Sequence, residues 1–168
     1  MRPPFTIAPS PNKFRPNRRD IKALIIHATG TDGIESPIRE FLNPETKKSA
    51  HWVIGRDGKI VKMVEECDVA YHAGESKWKG MEFVNPTSGK PTMNQCSIGI
   101  ELVNLNTGTD PYPPAQIDAL VLLAAEIVKD YSIILQDVVG HEDIAPGRKV
   151  DPGASFPWDE FRSRLQAA

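Results

Sequence analysis

Cysteine is scarce in this 168-residue chain: there are two, Cys67 and Cys96, with no CxxC or CxxH spacing. That excludes a thiolate zinc finger and a disulfide framework, and each cysteine reads as a small core residue. Excess charge of either sign is also missing. Twenty Lys and Arg stand against 22 Asp and Glu, a net charge of −2, so no overall field draws the chain to nucleic acid or to an anionic polymer. The one locally basic cluster, Lys13, Arg15, Arg18, Arg19 and Lys22, reads as a solvated face. No apolar run approaches the ~18 residues of a membrane span. Nor does Met1-Arg2-Pro3-Pro4-Phe5 carry the apolar stretch of a secretory signal. The expectation is a protein that stays in the cytoplasm, one that leaves by another route such as lysis, or a chain whose signal has been removed. Internal repeats and linkers are absent too. What remains, 25% charged and 40% apolar residues, is an ordinary globular composition long enough for one domain with its own core.

Residues 1–20, rich in Pro, Asn and Arg and without periodicity, read as an extended arm lying over a domain at 21–168. Lys22 to Thr29 holds four successive apolar residues ending in His27, the pattern of a strand covered on both faces and here taken as the central one. Ser36-Pro37 predicts a short helix burying Ile38, Phe41 and Leu42 and stopping at Asn43-Pro44. Ser49 to Met63 reads as a hairpin about Asp57-Gly58. After Val69–Gly74 comes a long stretch, about residues 75–95, with the composition of a functional or mobile loop. Ser97 to Val103 is a strand with Ile98, Ile100 and Leu102 on one face and Gly99, Glu101 and Val103 on the other. Pro113-Pro114 opens a helix that puts Ile117, Leu120, Val121, Ala124, Ile127, Val128 and Tyr131 on one stripe and Gln116, Asp118, Glu126 and Lys129 opposite. Trp158, Phe161 and Leu165 form a closing helix. The sum is an α/β (α+β) single domain, a mixed sheet with helices on its faces.

Chemistry concentrates in His141-Glu142-Asp143-Ile144-Ala145-Pro146-Gly147-Arg148-Lys149-Val150-Asp151. His141 and Asp151 are zinc-ligand types ten residues apart across a segment that Pro and Gly force into a loop. A catalytic zinc takes three protein ligands and leaves one position open. His27, at the mouth of a rigid buried strand, is the best third ligand, with His51 and His72 as competitors. Lys149 puts a fixed positive charge beside such a metal, which suits an anionic intermediate. Glu101, mid-strand among apolar neighbours, requires a charged partner or a job, because an unpaired buried carboxylate costs several kcal/mol, on the order of 3 or more.

With these residues assembled, the chain resembles the zinc-dependent N-acetylmuramoyl-L-alanine amidases of the type 2 amidase family. That family includes muropeptide-recycling amidases, phage lysozyme-like endolysins and peptidoglycan recognition proteins. The matching stretches are Leu24-Ile25-Ile26-His27, Ser49-Ala50-His51-Trp52-Val53-Ile54, Arg56-Asp57-Gly58, Tyr71-His72-Ala73-Gly74, Asn94 with Ser97-Ile98-Gly99-Ile100-Glu101-Leu102, and His141 through Gly153. The resemblance implies a central mixed sheet flanked by helices and one zinc ion on the residues matching His27, His141 and Asp151. It also implies hydrolysis of the amide between N-acetylmuramic acid and L-alanine in peptidoglycan or muropeptides, with Glu101 and Lys149 as catalytic partners. Glu101 would shuttle the proton of the attacking water, and Lys149 would stabilise the oxyanion. His51, His72, Asn94 and Arg148 are the candidate substrate-binding residues, on a monomer. One departure stands out: phage lysozyme-like members have a tyrosine where this chain has Ala50, and the stretch from Lys77 to Gln95 looks enlarged. The other functions open to this fold are a peptidoglycan-binding module without hydrolysis and a peptidase cutting within the stem peptide.

Overall fold

The computed structural model describes residues 2–168; Met1, the first residue of the expected arm, lies outside them. Its strands are β1 (Thr6–Ile7), β2 (Lys13–Phe14), β3 (Ala23–Ala28), β4 (Trp52–Ile54), β5 (Ile60–Lys62), β6 (Val69–Ala70), β7 (Phe83–Val84), β8 (Pro91–Thr92), β9 (Ser97–Leu102) and β10 (Val138–Gly140). The helices are α1 (Glu35–Leu42), α2 (Pro114–Tyr131), α3 (His141–Ile144) and α4 (Trp158–Ala167). Six strands form one sheet in the order β1-β5-β4-β9-β3-β10. β4, β9, β3 and β10 run parallel to one another, while β5 is antiparallel to β4 through the Asp57-Gly58 turn. The middle of the sheet is therefore β4 and β9. β3, expected to be central, stands next to the edge strand β10, although it is buried on both faces.

Side chains alternate across a strand, and this parity divides the molecule. The even-numbered residues Leu24, Ile26, Ile98, Ile100 and Leu102 enter one core with Trp52 and Ile54, closed by Leu120, Leu123, Ala124 and Ile127 of α2 and by Phe161 and Leu165 of α4. Odd-numbered residues face the other way. Ala23 and Ile25 pack with Ala73, Met93, Cys96, Val139 and Ile144, and Val53 and Val103 pack with Phe41 of α1. His27, Gly99 and Glu101 share this second parity, so the sequence alternation alone sends them away from α2 and α4.

Several expectations need correction. Leu42 is 42% exposed, because α1 turns only Pro37 and Phe41 fully inward and its last turn overhangs solvent. Gln116 is fully buried, not on the outer face of α2; its amide donates to Ile54 O, which also accepts the Val103 N–H, and to Val103 O, at 3.0 Å each, where β4 and β9 end. Cys96 is buried, but Cys67 is exposed. Residues 6–7 and 13–14 are paired strands, β1 alongside β5 and β2 alongside β6.

The basic cluster is not a uniformly solvated face either. The Arg19 guanidinium donates to Gln95 O (3.2 Å), Asp68 O (2.5 Å), Asn94 O (3.0 Å), Glu66 O and Ser97 O. These five acceptors match the five N–H groups that a guanidinium offers. Lys13 and Arg15 both pair with Asp68. The long stretch 75–95 carries the β7–β8 hairpin, with Asn85–Lys90 closing its tip.

Candidate active site

The carboxyl ends of β3, β9 and β10 come together at one edge of the sheet, the place where parallel sheets characteristically present functional side chains. β3 pairs with β9 so that His27 stands opposite Glu101, and with β10 so that Ile26 stands opposite Gly140. His141 follows immediately as the first residue of α3. The Asp143 carboxylate accepts the Gly140 N–H at 2.8 Å and fixes this strand-to-helix corner. Gly140 is required there, since a Cβ would lie 2.8 Å from Pro152 Cδ. Asp151 returns on the loop, held by Glu142 N–H to Asp151 O (2.9 Å) and, one residue on, by Tyr112 OH to Pro152 O (2.7 Å).

The result is a buried trio. His27 Nδ1 lies 2.9 Å from His141 Nδ1 and 3.2 Å from Asp151 Oδ2, and His141 Nδ1 lies 3.0 Å from the same oxygen. His141 Nε2 is 3.1 Å from Ala73 O. A carbonyl only accepts, so Nε2 carries a hydrogen, and Nδ1 is the nitrogen turned towards Asp151. Electron-pair donors packed this closely repel unless a cation or proton lies among them. Zinc bonds of about 2.0–2.2 Å span tetrahedral ligand atoms about 3.3 Å apart, and these three atoms sit slightly inside that spacing. The donor set of two imidazoles and a carboxylate thus fits one zinc ion. Burial, with the neighbouring His141, lowers the pKa of His27 to about 4, keeping it a neutral, ligand-competent ring.

His141 and Asp151, with His27 buried behind them, line a cleft of about 1040 Å³ walled by α1, the Lys47-Lys48 turn, residues 71–74, the β7–β8 tip and Arg148-Lys149. Glu101 lines it, half-buried, with Oε2 buried and lacking a hydrogen-bond partner. Of the two explanations expected for it, a charged partner or a job, no ion-pair partner is present among the described residues. Burial, reinforced by the charge of Asp151 and opposed by that of Lys149, raises the Glu101 carboxyl to about 8. Lys149 is exposed and lines the same cleft.

The four residues read as substrate-binding divide. His72, Asn94 and Arg148 line the cleft, whereas His51 does not and is fully buried. His51 Nδ1 accepts the Gly99 N–H at 3.0 Å and its Nε2 lies 3.2 Å from Asp68 O, so both ring nitrogens serve the fold and, contrary to expectation, neither faces the cleft. Asn94 Oδ1 accepts the N–H groups of His72 (3.2 Å) and Ala73 (2.7 Å), holding the 71–74 turn. Arg148 donates to Ala73 O (2.8 Å) and Glu75 O (2.5 Å) as a strap across that turn. Sequence reasoning missed Arg19, Ser97 and the Ala73 carbonyl. The available signal was Gly99, a glycine in the middle of a strand, which marks a close approach.

Comparison with known proteins identifies the family and the fold. A family model described as N-acetylmuramoyl-L-alanine amidase matches residues 17–154. The chain is 38% identical over 155 residues to N-acetylmuramoyl-L-alanine amidase AmiD of Escherichia coli, an alignment covering 84% of this chain and 52% of AmiD. It is 34% identical over 170 residues to 1,6-anhydro-N-acetylmuramyl-L-alanine amidase AmpD of Haemophilus influenzae, covering 90% of this chain and 86% of that protein. The chain thus spans about half of AmiD and most of that AmpD. Among solved structures, AmpD superposes with a TM-score of 0.80 at 32% identity, covering 96% of this chain and 94% of that one. AmiD of E. coli in complex with anhydro-N-acetylmuramic acid-L-Ala-D-gamma-Glu-L-Lys superposes with a TM-score of 0.75 at 34% identity, covering 89% and 58%.

Proposed function

Because the chain belongs to the N-acetylmuramoyl-L-alanine amidase family, we propose that it hydrolyses the amide joining N-acetylmuramic acid to L-alanine, with muropeptides as its substrates. His27, His141 and Asp151 would hold one zinc ion. Such an ion supplies Lewis acidity, polarising an amide carbonyl and acidifying water enough to attack near neutral pH.

The chain's own groups account for the protons and charge. Glu101, as carboxylate, takes a proton from the attacking water as its oxygen bonds to the amide carbon. It returns that proton to the alanine nitrogen as the C–N bond breaks, leaving a lactyl carboxylate and a free amine. A carboxyl raised to about 8 in the bare site is ionised more readily beside a divalent cation, so metal occupancy and readiness of the base are coupled. Lys149 lines the same cleft, and its ammonium would stabilise the oxygen on which negative charge develops. Arg148 and Asn94 hold the 71–74 wall at the substrate's flank. The observation that carries this reading is the convergence of the buried trio with an unpartnered carboxyl in one cleft.

The anhydro-muropeptide named for AmiD's complex and for AmpD supports soluble anhydro-muropeptides as the preferred substrate and cell-wall recycling as the role. Zinc-loaded protein incubated with anhydro-muropeptide and, separately, with cell-wall sacculi, then analysed by mass spectrometry, tests it. Stem peptides with an L-alanine amino end, formed faster from the soluble substrate, are expected. No release despite bound zinc would make the chain a binding module, and other amino ends would make it a stem peptidase.

A further inference from the structure

His27 reaches past the trio. Its Nε2 lies 3.0 Å from His72 Nδ1, and His72 Nε2 lies 3.4 Å from Ser97 Oγ. Ser97 Oγ in turn donates to Met93 O at 2.7 Å. Resting on the proposed metal site, we infer that His72 is a positioning residue: it holds the His27 ring at the angle, and in the tautomer, that presents a bare Nδ1 to the ion.

The polarity of this row follows from its far end. Met93 O can only accept, so the Ser97 hydroxyl hydrogen is committed to it. The Ser97 lone pair facing His72 then calls for a hydrogen on His72 Nε2. A neutral imidazole carries one ring hydrogen, which leaves His72 Nδ1 bare and able to accept. His27 Nε2 accordingly bears the hydrogen, and His27 Nδ1 is left open towards His141 and Asp151. Both rings are buried, which disfavours a second ring hydrogen on either. In the opposite polarity, the lone pairs of His72 Nε2 and Ser97 Oγ would face each other. The serine therefore selects the ligand nitrogen on the far side of His72.

Packing independently fixes the ring. His72 meets His27 edge-to-face with centroids 5.1 Å apart, and its backbone N–H is tied to Asn94 Oδ1. Beneath it, a Cβ on Gly99 would stand 2.5 Å from both Cγ and Nδ1 of His72. Only glycine at that point of β9 lets the imidazole lie against the strand. The mid-strand glycine, the buried serine and the histidine thus have one common explanation. With both ring nitrogens engaged, His72 forms cleft wall and is not a substrate ligand.

Zinc affinity measured by chelator competition on the full chain provides the test. Orienting partners of this kind typically carry 10–100-fold in affinity. His72→Leu should raise the zinc Kd by about that factor, and Gly99→Ala, which pushes the ring aside, should act in the same direction. His72→Asn, which offers an acceptor oxygen near the place of Nδ1, should recover most of the loss. In zinc-loaded wild type, imidazole 15N chemical shifts should show His72 protonated at Nε2 and bare at Nδ1, a readout needing no variant to fold. A His72→Leu protein with wild-type affinity, no rescue by asparagine, or a His72 protonated at Nδ1 would overturn the inference. Failure of wild type itself to take up zinc would overturn the metal reading and this one together, whereas wild-type uptake with an indifferent His72→Leu overturns this one alone.

Discussion

Replacing Glu101 by glutamine separates what this side chain does for the reaction from what it costs the fold. Oε2 is buried without a partner, and the carboxyl is raised from 4.5 to about 8 by burial first and by Asp151 second. In metal-free protein the unfolded chain releases this proton near 4.5, while the native state keeps it until about 8. Between those values the native state binds more protons than the unfolded one, so this group lowers stability as pH rises. The slope is at most about 1.4 kcal/mol per pH unit, which gives an upper limit of about 5 kcal/mol across the window. Because the residue is half-buried and cleft water reaches part of it, about 2–5 kcal/mol is the expected range. Glu101→Gln cannot ionise, and near pH 4.5 it matches the protonated wild type. Urea denaturation of chelator-treated wild type and variant at pH 5, 6.5 and 8 should therefore show the variant gaining steadily, with little difference at the acid end. Zinc-loaded variant should retain its metal and lose 10²–10⁴-fold in kcat, the usual contribution of a general base. A stability difference that is flat with pH, or one that favours wild type at pH 8, would refute the account of Glu101 as a strained, unpartnered carboxyl. Normal turnover would remove it as the base.

Asp151→Ala should lower zinc content to a small fraction of one per chain, read by metal analysis after dialysis; full occupancy would count against the trio as ligands. Chelation should abolish amidase activity, and zinc should restore it. Lys149→Met should lower kcat by about 10²-fold with zinc affinity little changed, a loss of about 3 kcal/mol that fits one oxyanion donor, and an unaltered kcat would exclude that role. Arg19→Lys keeps the charge but offers at most three donors in place of five. It should cost about 2–4 kcal/mol in urea denaturation because buried carbonyls lose partners; stability equal to wild type would mean those carbonyls find water.

The parts of the site legible in the sequence were those where residue type and local pattern conflict. Glu101 interrupts an alternation that otherwise demands an apolar residue, and His27 ends an unbroken apolar run. His141 and Asp151 place ligand atoms in a loop that Pro and Gly keep out of regular structure. The parts that escaped depend on what a polar side chain meets from a distant segment. Gln116 reads as an outer-face residue because polarity counts as exposure, yet the chain ends of two strands supply it with acceptors inside. His51 and His72 are indistinguishable as letters; the difference is that one faces Gly99 N–H and Asp68 O and the other His27 and Ser97. Arg19 looked like one of a solvated cluster, since nothing near it in the chain announces five carbonyls from residues 66–97. β3 was misplaced by one position for a similar reason: two-sided burial shows that a strand is covered, not how many strands lie beyond it.

The Arg19 knot also bears on the order in which the chain can assemble. Its acceptors are 47 to 78 residues away in sequence, so the guanidinium has nothing to grip until β4, β5 and β6 have formed and residue 97 has joined the growing sheet. Closing loops of that length costs entropy before any bond is returned. Arg19 ties the Glu66–Asp68 and Asn94–Ser97 turns to one another, and its guanidinium lies 3.0 Å from His51 Nε2.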